Sequence, residues 1–176
     1  MIKNLCSLGL AALALALTTP AHAELAEGAP APTFTTQAAM AGKEFGFSLE
    51  TALKQGPVVL YFYPKAFTSG CTLEANAFAE AMPEFKKAGA SVIGMSNDTI
   101  DTLKRFSREE CRDAFPVGVA SFEVMEDYGV GSKDRPYASR TSYVIAQDGT
   151  ISTVYSSGDY REHVGRTLAA VKNLSK

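Results

Sequence analysis

The feature that most constrains the fold is an apolar run followed by a proline-led turn and a cysteine. Residues 58–63 read Val-Val-Leu-Tyr-Phe-Tyr, with apolar side chains on both faces, which is typical of a strand inside a sheet. After the turn, residues 72–88 have the apolar spacing of a helix. Cys71 therefore lies at the first turn of a predicted helix. Free N–H groups and the positive end of the helix dipole favour the thiolate there, which is the nucleophilic form of cysteine.

Strand-like and helix-like segments alternate along the rest of the chain, and Pro83 is expected to kink or restart the helix that follows Cys71. This order indicates an α/β domain with a mixed sheet flanked by helices, without distinguishing among the α/β folds of this size. The last two strands form a predicted hairpin around Asp148-Gly149. The other predicted strands cover residues 33–38, 44–47, 90–95, 115–120, 141–146 and 150–156, and the other helices cover 48–54, 99–110, 122–128 and 160–174.

The N-terminus has the pattern of a secretory signal peptide. Lys3 precedes an apolar stretch at residues 5–17, and Ala21-His22-Ala23 forms a small-x-small cleavage site. We expect cleavage after Ala23 to leave a domain of residues 24–176 in the periplasm or outside the cell, with no stable membrane association. A retained anchor is the alternative, although the apolar stretch is short for a membrane span. Cleavage would remove Cys6 and leave Cys71 and Cys111, and two cysteines in an exported protein favour a disulfide.

Composition excludes several function classes. The formal net charge is −2 and no basic cluster is present, so nucleic acid is not an expected partner. The histidine and the two cysteines of the predicted domain lack the spacing of metal ligands, and no cofactor motif is present. A cysteine hydrolase would need a histidine beside Cys71. His163, on the last predicted helix, is expected to flank the core face and point to solvent.

Residues 63–74 read Tyr-Pro-Lys-Ala-Phe-Thr-Ser-Gly-Cys-Thr-Leu-Glu, which resembles the peroxiredoxin active-site signature Pro-x-x-x-Thr-x-x-Cys. The Tyr-Pro-Lys opening and the Gly-Cys-Thr-x-Glu ending are most similar to the Q-type, bacterioferritin-comigratory-protein-like subfamily. The resemblance extends over nearly all of residues 28–176, including the Gly-Ala-Pro-Ala-Pro-x-Phe start and Arg140-Thr141. It implies a thioredoxin-like fold and a thiol peroxidase that reduces hydrogen peroxide and organic hydroperoxides.

The resemblance assigns roles to four residues of the motif. Cys71 would be the peroxidatic nucleophile, oxidised to sulfenic acid. Thr68 would place its hydroxyl against the sulfur and the peroxide, and Pro64 would exclude water. Arg140 would hold a cation near the sulfur and steady the charge on the leaving oxygen.

The residues alone leave other readings open. Cys71 could be an inert core cysteine, and Thr68 could serve only as a helix N-cap. Pro64 could simply end the strand, and Arg140 could be a surface ion-pair partner.

The role of Cys111 also rests on the resemblance. Many Q-type relatives carry the resolving cysteine five residues after the peroxidatic one, where this chain has Asn76. Others resolve from the following helix, and Cys111 resembles that variant. The resemblance thus implies an intramolecular Cys71–Cys111 disulfide, a thioredoxin-like or small-thiol electron donor, and a monomer. A one-cysteine mechanism and a static structural bridge are the alternatives.

Two other function classes remain open at this stage. One is an exported thioredoxin-fold binding or chaperone-like protein without catalysis. The other is a thiol–disulfide oxidoreductase, which the absence of a Cys-x-x-Cys motif disfavours.

Overall fold

The computed structural model describes residues 23–174, so the predicted signal peptide, apart from Ala23, lies outside the described residues. A seven-stranded sheet forms the centre of the molecule, in the order β2-β1-β5-β4-β3-β6-β7. Its strands are β1 (Thr35–Met40), β2 (Lys43–Ser48), β3 (Val58–Phe62), β4 (Ser91–Ser96), β5 (Val117–Val119), β6 (Thr141–Ile145) and β7 (Ile151–Ser156).

In the part of the chain that the structure describes, five α-helices and one short 3₁₀ turn connect and follow these strands, within a few residues of the predicted bounds. Three of the helices begin at a serine or threonine whose side chain accepts a hydrogen bond from the first turn: Ser48, Thr99 and Ser121. The helices are α1 (Leu49–Leu53), α2 (Ser69–Lys87), α3 (Ile100–Glu109), α4 (Phe122–Asp127) and α5 (His163–Leu174), and the 3₁₀ turn Tyr160–Glu162 precedes α5.

The apolar run before Pro64 forms β3, and all five residues of this strand are buried. It pairs in parallel with β4 and antiparallel with β6. A strand with neighbours on both edges and cores on both faces needs apolar side chains at every position. The predicted mixed sheet flanked by helices is confirmed.

Each face of the sheet has its own hydrophobic core. Residues of α2, α3 and α5 form the core on one face, and residues of α1 and α4 contribute to the core on the other. Both Cys71 and Cys111 belong to the first core. The two thiols therefore share one side of the sheet. Within residues 23–174 no helix is both long and apolar enough to cross a membrane.

Two local expectations differ in part from the structure. α2 runs through Pro83 as one 19-residue helix, so the proline does not restart it. The apolar residues at 160, 164, 168, 171 and 174 predict the core face of α5. Val171 is buried, and Val164 and Leu168 pack against the core, but Leu174 is 40% exposed. His163 and Thr167, which the pattern leaves outside this face, are buried as well. Polar residues occupy the core side because they bond there, as described below.

Candidate active site

Cys71 is the third residue of α2, in the first helical turn as the sequence predicts. The first hydrogen bond of the helix joins the N–H of Thr72 to the carbonyl of Thr68. The helix itself therefore leaves the N–H groups of residues 69–71 available to an anion or a peroxide oxygen. The thiol is 2% exposed, so a reacting molecule would meet it in a nearly dry setting.

Arg140, just before β6, provides the cation at this thiol. Its Nη2 donates to the Cys71 sulfur at 3.5 Å, its Nε donates to the Gly158 carbonyl at 3.2 Å, and its Nη1 donates to the carboxylate of Glu74. A side chain at Gly70 would place its Cβ 3.2 Å from Nη2, so glycine there lets the guanidinium approach. The reading of Arg140 as a surface ion-pair partner is wrong, because the side chain is 8% exposed.

The electrostatics keep Arg140 charged. Burial acts to lower the pKa of its guanidinium, but the charges of Glu74 and Cys71 and their hydrogen bonds to it outweigh burial, and the pKa is raised above its ordinary value. A permanent positive charge thus lies against the sulfur. Such a charge stabilises a thiolate relative to a thiol.

Glu74 links Arg140 to a second buried polar residue, His163. Burial raises the pKa of the Glu74 carboxyl to about 8, against the opposing effect of Arg140. Its Oε1 lies 3.7 Å from Nδ1 of His163, and both side chains are fully buried. The expectation that His163 faces solvent is therefore wrong: its ring bonds to Ser142 Oγ and the Ser157 carbonyl, at 2.8 and 3.1 Å.

The loop between β3 and α2 holds the remaining motif residues. Phe67 has a φ of 63°, a left-handed conformation that is uncommon for a bulky residue. Thr68 is the N-cap of α2, but its hydroxyl donates to the Lys65 carbonyl at 2.9 Å and makes no capping bond. Among the described hydrogen bonds, this hydroxyl has none to Cys71. Pro64 is half-buried directly after Tyr63.

Asp98, which sequence reasoning did not single out, fixes this loop from the end of β4. Its carboxylate accepts from the Ala66 N–H at 2.8 Å and from the Ser96 hydroxyl at 2.9 Å. An aspartate after a strand is common in turns, so the sequence carries only a weak signal for this role.

Cys111 lies beyond the C-terminus of α3 and is fully buried. The residues on either side of it bond to α2: Glu110 accepts from Asn76 at 3.1 Å, and Arg112 pairs with Glu80 at 3.2 Å. Burial, with a smaller contribution from Glu110, raises the pKa of the Cys111 thiol well above its ordinary value. Both cysteines are free thiols.

Two further observations bear on the site. Arg112 and Asp113, which follow Cys111, have φ values of 51° and 57°, so two successive non-glycine residues are left-handed. In residues 23–174, no group of three or more His, Cys, Asp or Glu side chains is arranged to hold a metal ion.

The structure thus brings Cys71 and Arg140 together as predicted and adds Glu74 and His163 behind them. Thr68 and Pro64 lie on the loop that leads into Cys71. The sequence signal for Glu74 is its place one helical turn after Cys71. His163 has no comparable signal, because the apolar pattern of α5 does not show that a histidine faces the core.

Comparison with known proteins gives concordant matches. The profile of the AhpC/TSA family matches residues 28–154. The chain is 33% identical over 153 residues to "Peroxiredoxin Q, chloroplastic" of Triticum aestivum, covering 86% of this chain and 69% of that protein. It is 37% identical over 112 residues to "Peroxiredoxin Bcp" of Escherichia coli (strain K12), covering 60% of this chain and 72% of that protein.

Solved structures agree with these matches. Peroxidoxin BcpB from Mycobacterium tuberculosis superposes with a TM-score of 0.75 at 30% identity, covering 84% of this chain and 96% of that one. AhpC from the same organism gives a TM-score of 0.75 at 21% identity, which is a likeness of fold alone. The expected thioredoxin-like fold is confirmed by these neighbours.

Proposed function

The chain belongs to the AhpC/TSA family of thiol peroxidases, and from that premise we propose that Cys71 reduces peroxides and that Cys111 resolves the oxidised product. The observation that supports the first half is the contact of Arg140 with the Cys71 sulfur at the start of α2. The second half is supported by the position of Cys111 against α2.

In the first step the Cys71 thiolate attacks the terminal oxygen of the peroxide. An S–O bond forms as the O–O bond breaks, Cys71 becomes sulfenic acid, and the other oxygen leaves as hydroxide or alkoxide, which takes a proton from solvent to become water or an alcohol. Arg140 donates to the sulfur, and the N–H groups of Gly70 and Cys71 have no partner within the helix, so these donors can stabilise the charge that moves from sulfur to oxygen. Donors fixed in advance around such a charge are an effective source of transition-state stabilisation.

In the second step the Cys111 thiol attacks the sulfur of the Cys71 sulfenic acid. The S–S bond forms, water is released, and both cysteines end at the oxidation level of a disulfide. A dithiol donor of thioredoxin type, or small thiols, then supplies two electrons and two protons to restore both thiols. We infer a monomeric enzyme in the periplasm or outside the cell, where such a donor must also be present.

The two cysteines need a local rearrangement to meet. Asn76 and Glu80 lie five and nine residues beyond Cys71 on α2, which is a distance of roughly 7 to 14 Å along the helix axis. A disulfide needs Cα atoms within about 7 Å. We infer that the first turn of α2 unwinds after oxidation, while the left-handed pair at 112–113 lets the Cys111 segment leave the core.

The test is hydrogen peroxide consumption by wild type, Cys71→Ser and Cys111→Ser, with a thioredoxin system as donor. We expect Cys71→Ser to lose all activity above background. Cys111→Ser should complete one turnover at the wild-type rate and then fail to recycle with thioredoxin. Full thioredoxin-supported turnover in Cys111→Ser would establish a one-cysteine mechanism instead, and an inactive wild type would refute the proposal.

A further inference from the structure

Glu74 and His163 form a buried pair that the chemistry at Cys71 does not by itself require. Oε1 of Glu74 has no hydrogen-bond partner among the described residues, although the side chain is completely buried. It lies 3.7 Å from Nδ1 of His163, a distance that suits an ion pair and exceeds a hydrogen bond. A buried polar atom left in this way calls for a physical explanation.

The hydrogen bonds of His163 determine which ring nitrogen carries the permanent proton. Nε2 faces the Ser157 carbonyl, which can only accept, so Nε2 must donate. Nδ1 faces the Ser142 hydroxyl at 2.8 Å, and a hydroxyl can either donate or accept. Ser142 therefore tolerates Nδ1 with or without a proton. The structure has a place for one further proton, on Nδ1 or on Oε1.

The opposite side of Glu74 leads to the reacting sulfur. Oε2 accepts from Nη1 of Arg140, and Nη2 of the same guanidinium donates to the Cys71 sulfur. A guanidinium carries one charge that its two partners share. When Glu74 is ionised, its negative charge offsets part of the positive charge of Arg140 that stabilises the thiolate. When Glu74 is protonated, this offset is absent and Arg140 stabilises the thiolate more strongly.

We propose that His163 and Glu74 hold one exchangeable proton between Nδ1 and Oε1, and that this proton makes them positioning residues for Arg140 at Cys71. The inference rests on the proposed function, because it concerns the rate of the same Cys71 reaction. His163 touches neither sulfur nor peroxide in this scheme and acts only through Glu74 and Arg140.

The pKa directions agree with this geometry. Burial raises the pKa of Glu74 to about 8 and, as the largest effect, lowers the pKa of His163 below its ordinary value of 6.5. At neutral pH the shared proton therefore resides with the carboxyl, and it leaves as the pH rises through about 8. The charged and titratable groups facing the pair are Cys71, Arg140 and Tyr61 near Glu74, and Tyr155, Asp159 and Arg166 near His163.

The kinetic test is the single-turnover rate of Cys71 with hydrogen peroxide from pH 6 to pH 10. In wild type we expect the rate constant to fall roughly threefold to tenfold above pH 8, as one negative charge appears beside Arg140. Glu74→Gln keeps an oxygen for Arg140 and cannot titrate, so the fall should disappear. Glu50→Gln makes the same chemical change on an exposed residue of α1, on the other face of the sheet, and should keep the wild-type profile.

A second readout needs no peroxide chemistry. The ring ¹⁵N shifts of His163 should report an Nε2–H tautomer at neutral pH, with a step in the Nδ1 shift near pH 8 that is missing in Glu74→Gln. Ordinary protonation of His163 near pH 6.5, with no step near pH 8, would overturn the shared proton. A wild-type rate without the alkaline fall, or the same fall in Glu74→Gln, would overturn the link to Cys71. If wild type does not react with peroxide but the ¹⁵N step is present, the proposed function and the kinetic link are refuted, while the proton shared by Glu74 and His163 is supported.

Discussion

Cys71 and Cys111 lie in the same hydrophobic core but in different electrostatic surroundings. Cys71 has a helix N-terminus and the guanidinium of Arg140 against its sulfur. Cys111 lies beyond a helix C-terminus, next to Glu110, and its thiol pKa is raised by burial and, to a smaller extent, by that glutamate. Both are buried almost completely, so burial does not separate them. The sign of the nearby charge separates the two thiols: a positive charge favours a thiolate at Cys71, and a negative charge opposes one at Cys111.

The two regions also differ in backbone. Cys71 belongs to a continuous helix of 19 residues, although the loop before it contains the left-handed Phe67. Cys111 is followed directly by two left-handed residues outside any helix. Left-handed L-residues are less stable than helical ones, so the segment after Cys111 is the less costly of the two to open.

Removing the charge that distinguishes Cys71 should have the largest effect. We expect Arg140→Gln to lower the second-order rate constant with hydrogen peroxide by about 10² to 10³, the usual cost of losing one oriented donor to a developing charge. Stopped-flow measurement on the reduced protein gives this constant directly.

The matched control is Arg108→Gln, which removes an exposed arginine of α3 that lies against Gly42 in the turn between β1 and β2. It should react at the wild-type rate. Because Arg140 also pairs with buried Glu74, thermal unfolding must confirm that Arg140→Gln is folded at the assay temperature. A folded Arg140→Gln variant with wild-type reactivity would remove the electrostatic distinction between the two thiols.

Relaxing the backbone after Cys111 should have a smaller effect. Asp113→Gly leaves the contacts of Glu110 and Arg112 to α2 in place and removes the penalty of a left-handed L-residue, stabilising the turn by up to about 1 kcal/mol. If this turn must open, disulfide formation after oxidation should slow by up to about fivefold. Quenched-flow alkylation followed by mass analysis measures that rate.

Ala41→Gly is the control for this variant, because Ala41 has a φ of 51° in the turn between β1 and β2, away from the two cysteines in sequence. It should raise the stability to a similar extent without slowing the disulfide. Equal slowing in both variants would mean that global unfolding, and not the turn after Cys111, controls the step.

Much of this architecture is readable in the sequence, for identifiable reasons. The buried strand β3 is recognisable in the sequence because every one of its positions must be apolar. The turn and helix that follow it put Cys71 in the first turn of α2. Only the family resemblance predicts that Arg140 lies at the Cys71 sulfur, because the sequence around an arginine so far along the chain does not show what it contacts. Glu74 and His163 meet only through the packing of α2 against the start of α5.

The error on His163 has a specific physical cause. Leu168 and Val171 pack in the core as the apolar pattern of the last segment predicts, but the helix also turns His163 and Thr167 inward. The hydroxyl of Thr167 donates to the His163 carbonyl at 2.7 Å, and Ser142 bonds the His163 ring. Polar residues can occupy a core when each finds a partner there, and a pattern of hydrophobicity does not register those partners.

The most direct test of the account is peptide mass mapping of the reduced protein at short times after one equivalent of hydrogen peroxide. We predict brief sulfenic acid at Cys71, followed by a Cys71–Cys111 crosslink and the loss of two hydrogens from the intact mass. Persistent sulfenic or sulfinic acid at Cys71, with Cys111 still open to alkylation, would contradict this prediction. Cys111 would then have no part in turnover.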